Sequence, residues 1–247
     1  AINQIIYGVA FYLMEKISGD EKSSYQKLSF AMYFLGMFNL MFNWGHHIYL
    51  LPTEKIIHYI AYAVSMTEWI LFIRIFYKWN KQIKENKQHY YFFPYRFLMA
   101  ADYWVIINLG MALLMSIPAI NLYTHGTHIT VAHAMGTTIG INTMIILAAS
   151  FYFIKPSFLS IKTLKLNSLF FWSTQLILLT FLISLIGMGI QRALWQVGLK
   201  KSTFSQMTQA SSLWTLLFII LGTLLMIFMG YFIIYLILKS LKKNQVT

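Results

Sequence analysis

Five of the seven histidines fall in two short runs: FNWGHHIYLLP holds His46 and His47, and NLYTHGTHITVAHAMGTTIG holds His125, His128 and His133. Imidazole suits iron, copper or zinc. Adjacent helical residues project about 100° apart, so His46 and His47 reach one ion only if it lies at the helix edge and takes further ligands from elsewhere. The alternative is that the pair makes hydrogen bonds near a membrane interface. His133 and Met135, two residues apart, are separated by about 200° around a helix and face opposite ways. One helix can then offer an imidazole on one side and a thioether on the other, and both are axial haem ligands. The competing reading is a satisfied histidine and a packing methionine, since the chain has 14 methionines and most must serve packing.

The elements that would hold these residues are transmembrane helices. The chain has 247 residues, 58% hydrophobic and 11% charged, in long continuous apolar runs rather than the alternating pattern of a β-barrel. The expected fold is an all-α polytopic membrane protein, a single membrane domain over 1–247, with six full transmembrane helices plus one partial N-terminal helix. The full spans are predicted at Tyr25–Leu51, Glu54–Trp79, Pro94–Ala119, His128–Ile154, Asn167–Val197 and Met207–Lys239. Both histidine runs then sit at the same, outer, membrane level, as a metal site between helices requires. His125, eight residues before His133, is expected about 12 Å further up the helix and close to the same face.

A net charge of +12 invites a nucleic-acid reading, but the basic residues gather in alternating loops. Only Lys55, Arg192, Lys200 and Lys201 fall on the histidine side; the other lysines and arginines share the opposite side. By the positive-inside rule that side, with the C-terminus, is cytoplasmic. The partner is the bilayer, with no nucleic acid. The absence of cysteine excludes thiolate ligands and thioether haem attachment through this chain. The opening run AINQIIYGVAFYLM has neither the charged start nor the cleavage site of a signal peptide and reads as the second part of a helix.

Two carboxylates lie deep within predicted spans, Glu68 and Asp102. Glu68 in mid-span costs several kcal/mol unless paired or protonated, so it is either a neutral acid bonded to a neighbouring helix or the partner of a metal. Asp102 lies nearer the cytoplasmic end, where hydration could suffice, and is assigned no role. His58 and His89 read as ordinary interface and loop residues.

Three stretches resemble one family, the large, haem-bearing subunit of bacterial nitric oxide reductases within the haem-copper oxidase superfamily. NLYTHGTHITVAHAMGTTIGINTM is similar to its tenth helix, GHHIYLLP with SMTEWILF to its seventh and eighth, and EKISGDEK to the turn after its sixth. The resemblance implies that the chain is helices six to twelve of a twelve-helix bundle in the bacterial cytoplasmic membrane, with an N-terminal half of the same subunit as its partner. It implies haem b in high-spin and low-spin forms and a non-haem iron. His46 and His47 match two of the iron's three histidine ligands, and Glu68 the glutamate beside it, acting as a ligand or in proton handling. His133 matches the proximal ligand of the high-spin haem, and His125 a contact to haem propionates. His128 stands where the family usually has glutamine.

Met135 departs from the pattern: it occupies the position of the histidine that binds the low-spin haem. Either methionine ligates that haem, or the haem is bound differently or lost. The implied activity is reduction of nitric oxide, with electrons from a cytochrome c subunit or from quinol. The rivals are an oxygen reductase of the same superfamily with copper in place of non-haem iron, a nitric oxide dismutase and, from another class, a transporter or non-catalytic scaffold.

Overall fold

A computed structural model of the chain describes residues 2–18, 52, 54–60, 62–63, 67, 70, 73–74, 77, 92–155 and 161–244. The ordered architecture is helical: α1 (Ile2–Ser18), α2 (Phe93–Ser116), α3 (Pro118–Thr124), α4 (His128–Met135), a π-helical segment (Gly136–Thr143), α5 (Met144–Ile154), α6 (Ile161–Gln196), α7 (Phe204–Ala210) and α8 (Ser212–Asn244). Further helical residues occur at 55–60, 62–63, 67, 70, 73–74 and 77. Four of these helices are long and apolar enough to cross a membrane: Phe93–Ser116, the continuous run His128–Ile154, Leu164–Gln196 and Ser212–Leu241. The predicted span Tyr25–Leu51 lies outside the described residues, and Glu54–Trp79 is described only in part.

Two predicted spans change shape. The run Pro94–Ala119 is not one helix, because α2 ends at Ser116 and Ile117 turns extended at φ −74°, ψ 121°. Proline at 118 has no N–H to continue the ladder and disfavours the α conformation in the residue before it, so the chain breaks and restarts as α3. The run Met207–Lys239 is likewise divided. Thr203 and Gln206 form a reciprocal capping box that starts α7, and Ser211 separates α7 from α8. A capping box satisfies two orphan N–H donors at once and so marks a helix start in its own right.

One end of the bundle is locked by aromatic rings. Phe97 stacks on Phe151 at 5.4 Å and meets Phe171 and Phe232 edge-on at 5.2 and 5.1 Å. Phe93 adds a stacked contact to Phe151 at 5.5 Å. These residues are buried and come from α2, α5, α6 and α8. The beginnings of α2 and α6 therefore share a membrane face with the ends of α5 and α8. Between helices in hydrocarbon there is no water to expel, so shape and ring geometry must supply the association.

Higher in the bundle, glycines admit close approach. A Cβ at Gly140 would stand 2.8 Å from the Trp104 ring, one at Gly187 would stand 2.4 Å from the Trp214 ring, and one at Gly189 would stand 2.6 Å from the backbone nitrogen of Ile129. These contacts seat α2 on the π segment, α8 on α6, and α6 on the first turn of α4. Gly187→Ala is expected to destabilise by about 1–3 kcal/mol through overpacking, read as a lower thermal unfolding midpoint in detergent. Gly230→Ala, where a Cβ meets open space, serves as the control and should lose nothing.

Candidate functional site

The run NLYTHGT forms a bonded corner between α2 and α4. Buried Asn121 donates from Nδ2 to the carbonyl of Met115 at 2.9 Å, tying α3 back to the end of α2. The Thr124 carbonyl accepts from the hydroxyls of Thr127, at 2.7 Å, and Thr130, at 2.8 Å. Gly126 takes the left-handed conformation at φ 70°, open to glycine at no steric cost. Thr127 then caps α4, its hydroxyl accepting from the Ile129 N–H at 3.2 Å.

This corner corrects the placement of His125. The residue is not further up the helix of His133; it sits at the end of α3, extended at φ −64°, ψ 133°, before the turn. An α-helical rise over the eight intervening residues therefore does not describe their separation. The Gly126 turn and the Thr127 cap are the cause. His128 opens α4 and is exposed.

His133 and Met135 both lie in α4, so the opposed projection read from their spacing stands. Ala132 and Gly136, which flank the pair in the chain, are buried, His133 is half-buried and Met135 is 36% exposed. The back of the helix is thus packed against α2 and α6, while its two flanks carry an imidazole and a thioether. That donor set fits haem on either side.

Behind His133 stands a polar chain that sequence reading did not single out. Asn108 of α2 donates from Nδ2 to the Thr137 hydroxyl at 2.6 Å, and that hydroxyl donates to the His133 carbonyl at 3.2 Å. Glycine at 136 is needed for this approach, since a Cβ there would meet Asn108 Oδ1 at 2.5 Å. The Thr138 hydroxyl bonds the Ala134 carbonyl at 3.0 Å and the Thr143 hydroxyl bonds that of Thr138 at 2.8 Å. Where α winding gives way to π winding, hydroxyls thereby reach carbonyls of the preceding turn. The only available signal was the density of Thr and Gly in GTTIGINT, inside an otherwise apolar span.

A second bridge runs deeper, where Trp104 Nε1 donates to Gln175 Oε1 at 2.8 Å. Asp102, for which simple hydration was the expectation, is half-buried, with Oδ2 shielded from solvent and without a hydrogen bond. His46, His47, Glu68 and His89 lie outside the described residues. Among the described residues no three metal-ligating side chains cluster.

The sequence matches the family described as cytochrome c and quinol oxidase polypeptide I over residues 3–224. The chain belongs to this family. It is that of the haem-copper oxidase catalytic subunits, membrane oxidoreductases that bind haem and metal and work with redox partners. No curated protein matches the chain. The matched region takes in α1 and the whole corner-and-helix unit from Asn121 to Ile154, where the residues fit a haem by donor chemistry and by the packing behind them.

Removing the Thr137 hydroxyl should leave the Asn108 amide buried without its acceptor. Thr137→Val is expected to cost about 1–3 kcal/mol, and Thr137→Ser to restore most of it. Thermal unfolding of the two purified variants measures the difference.

Proposed function

We propose that this chain is the C-terminal portion of the catalytic subunit of a respiratory nitric oxide reductase, helices six to twelve of a twelve-helix bundle. The reaction joins two nitric oxide molecules with two electrons and two protons to yield nitrous oxide and water. The observation that carries the reading is NLYTHGTHITVAHAM, which resembles the tenth helix of those enzymes and folds as a threonine-bonded corner opening directly onto His133 and Met135.

In this reading His133 is the proximal ligand of the high-spin haem and Met135, in place of the usual histidine, ligates the low-spin haem. His46 and His47 hold the non-haem iron together with a histidine supplied from outside this segment, and Glu68 stands beside it as ligand or proton carrier. When bound, the haems and iron would relay the donor's electrons to nitric oxide and supply the metal centre at which it is reduced. The protein's part is to fix positions and exclude water. The Asn108–Thr137 link restrains the His133 backbone, and Gly189 seats the first turn of α4 against α6. His125, at the corner outside α4, is the residue that by the resemblance would contact haem propionates. The charge pattern supports a cytoplasmic C-terminus, and the resemblance implies a bacterial inner membrane. Electrons come from a cytochrome c subunit or from quinol.

Two measurements test this. Analysis of the purified complex should find two haems b and one non-haem iron, with turnover converting nitric oxide to nitrous oxide. Copper in place of the iron, with water formed from oxygen, would establish an oxygen reductase instead; dinitrogen and oxygen as products would establish a dismutase. Met135→His should lower the low-spin haem potential and alter its absorption, because imidazole replaces thioether. An unchanged spectrum and potential would remove Met135 from the ligand set. His133→Ala should abolish the high-spin haem signal while leaving the low-spin one.

A further inference from the structure

Between α2 and α6 lies a groove of about 530 Å³ that the proposed chemistry does not use. Its floor is Ala100, Trp104 and Phe171, all buried, and its rim includes Tyr103, Trp172 and Leu176, all more than half exposed. Measured on α2 from Tyr95 to Ile107, both of which line it, the groove runs about 18 Å along the helix axis. That is close to one leaflet of a hydrocarbon core about 30 Å thick.

The two ends differ in chemistry. Ile107 and Leu179 close the deep end, and buried Arg96 lies at the other, one turn from the start of α2. The Arg96 guanidinium is held by a 2.9 Å bond to the Ser168 hydroxyl and by the Phe93 and Phe171 rings at 5.2 and 6.0 Å. On α6, exposed Lys165 continues the helical stripe of Ser168, Trp172 and Leu176 toward the same membrane face. Lys155 and Lys239, at the ends of α5 and within α8, lie toward that face too. Among the described residues, no aspartate or glutamate lines the groove.

We infer that this groove binds one anionic phospholipid of the lysine-rich leaflet, its phosphate between Arg96 and Lys165 and an acyl chain along Tyr103, Trp172 and Leu176. A basic pocket between transmembrane helices at the anionic membrane surface is a general mode of lipid headgroup recognition. A transmembrane helix is about 10 Å across and needs a gap of that width to seat between two others. Direct side-chain bonds, Arg96 to Ser168 and Trp104 to Gln175, already bridge α2 and α6 beneath it. An acyl chain needs no such width and no hydrogen bonds.

The test is native mass spectrometry of the whole purified complex, delipidated and titrated with phosphatidylglycerol or phosphatidylcholine. Phosphatidylglycerol should be retained in preference. Lys165→Gln should weaken its retention about fivefold, the expectation for one basic charge at the surface, and leave phosphatidylcholine unaffected. Leu176→Trp, which narrows the groove at an exposed position, should weaken both. Arg96→Gln should act as Lys165→Gln does, but its buried bond to Ser168 makes the exposed Lys165 variant the deciding one. Equal retention of the two lipids, or no effect of Lys165→Gln and Leu176→Trp, overturns the inference. So does a photoreactive benzoylphenylalanine replacing Leu176 that cross-links in membranes to a protein segment instead of a lipid. These readouts are independent of turnover, so a failed activity assay and a failed lipid site are separate results.

Discussion

A helix in hydrocarbon has no water to satisfy its peptide groups, so each N–H and C=O needs a partner within the protein. The span from His128 to Ile154 meets that demand while changing its winding from α to π after Met135 and back again at Met144. A π segment interrupts the regular i−4 ladder, and such segments recur at functional sites. Here threonine hydroxyls reach carbonyls around the transition, and Asn108 reaches in from α2 to hold one of those threonines. The placement of His133 and Met135 depends on this arrangement. Both side chains leave the helix in its last α turn, and a change in that turn's backbone would move them together.

The same constraint explains the corner ahead of α4. Leaving α2 at Ser116 and entering α4 at His128, with only the short α3 between, exposes carbonyl and N–H groups at each helix end. Asn121, Thr124, Thr127 and Thr130 satisfy several of them locally. The polar residues of NLYTHGT therefore have a structural part, and His125 is carried by a corner rather than by a helix face. His125 is thus positioned by the hydrogen bonds of the corner, whereas His133 is positioned by the winding and hydrogen bonds of its own helix.

Packing in the rest of the bundle follows two rules suited to a lipid solvent. Glycines opposite tryptophans at Gly140 and Gly187 draw helices together in the middle of the membrane, and phenylalanine rings from four helices interlock at the lysine-rich end. Between α2 and α6 long side chains make the contacts, Phe97 to Phe171, Arg96 to Ser168 and Trp104 to Gln175, and a groove opens over them. The last described helix, α8, is buried along one stripe only and turns most of its apolar surface away from the other described helices.

Composition and periodicity determined that the chain lies in a membrane, because hydropathy is additive along the sequence and needs no knowledge of neighbours. The run His128–Ile154 was read with its observed bounds, and the opposed faces of His133 and Met135 followed from a two-residue spacing within one helix. The break at Ile117 could have been read from Pro118, and the start of α7 from Thr203 and Gln206; both were hidden by continuous hydrophobicity. Only the tertiary structure decided where His125 stands, since its place depends on a left-handed turn and on a tie from Asn121 to Met115. It also decided that Asn108 supports the His133 backbone, that Asp102 Oδ2 is shielded from solvent, and that Arg96 heads a groove. Each of these rests on side chains from different helices meeting, or on the burial that such meetings produce, and helical periodicity says which face a residue occupies but not what it will face.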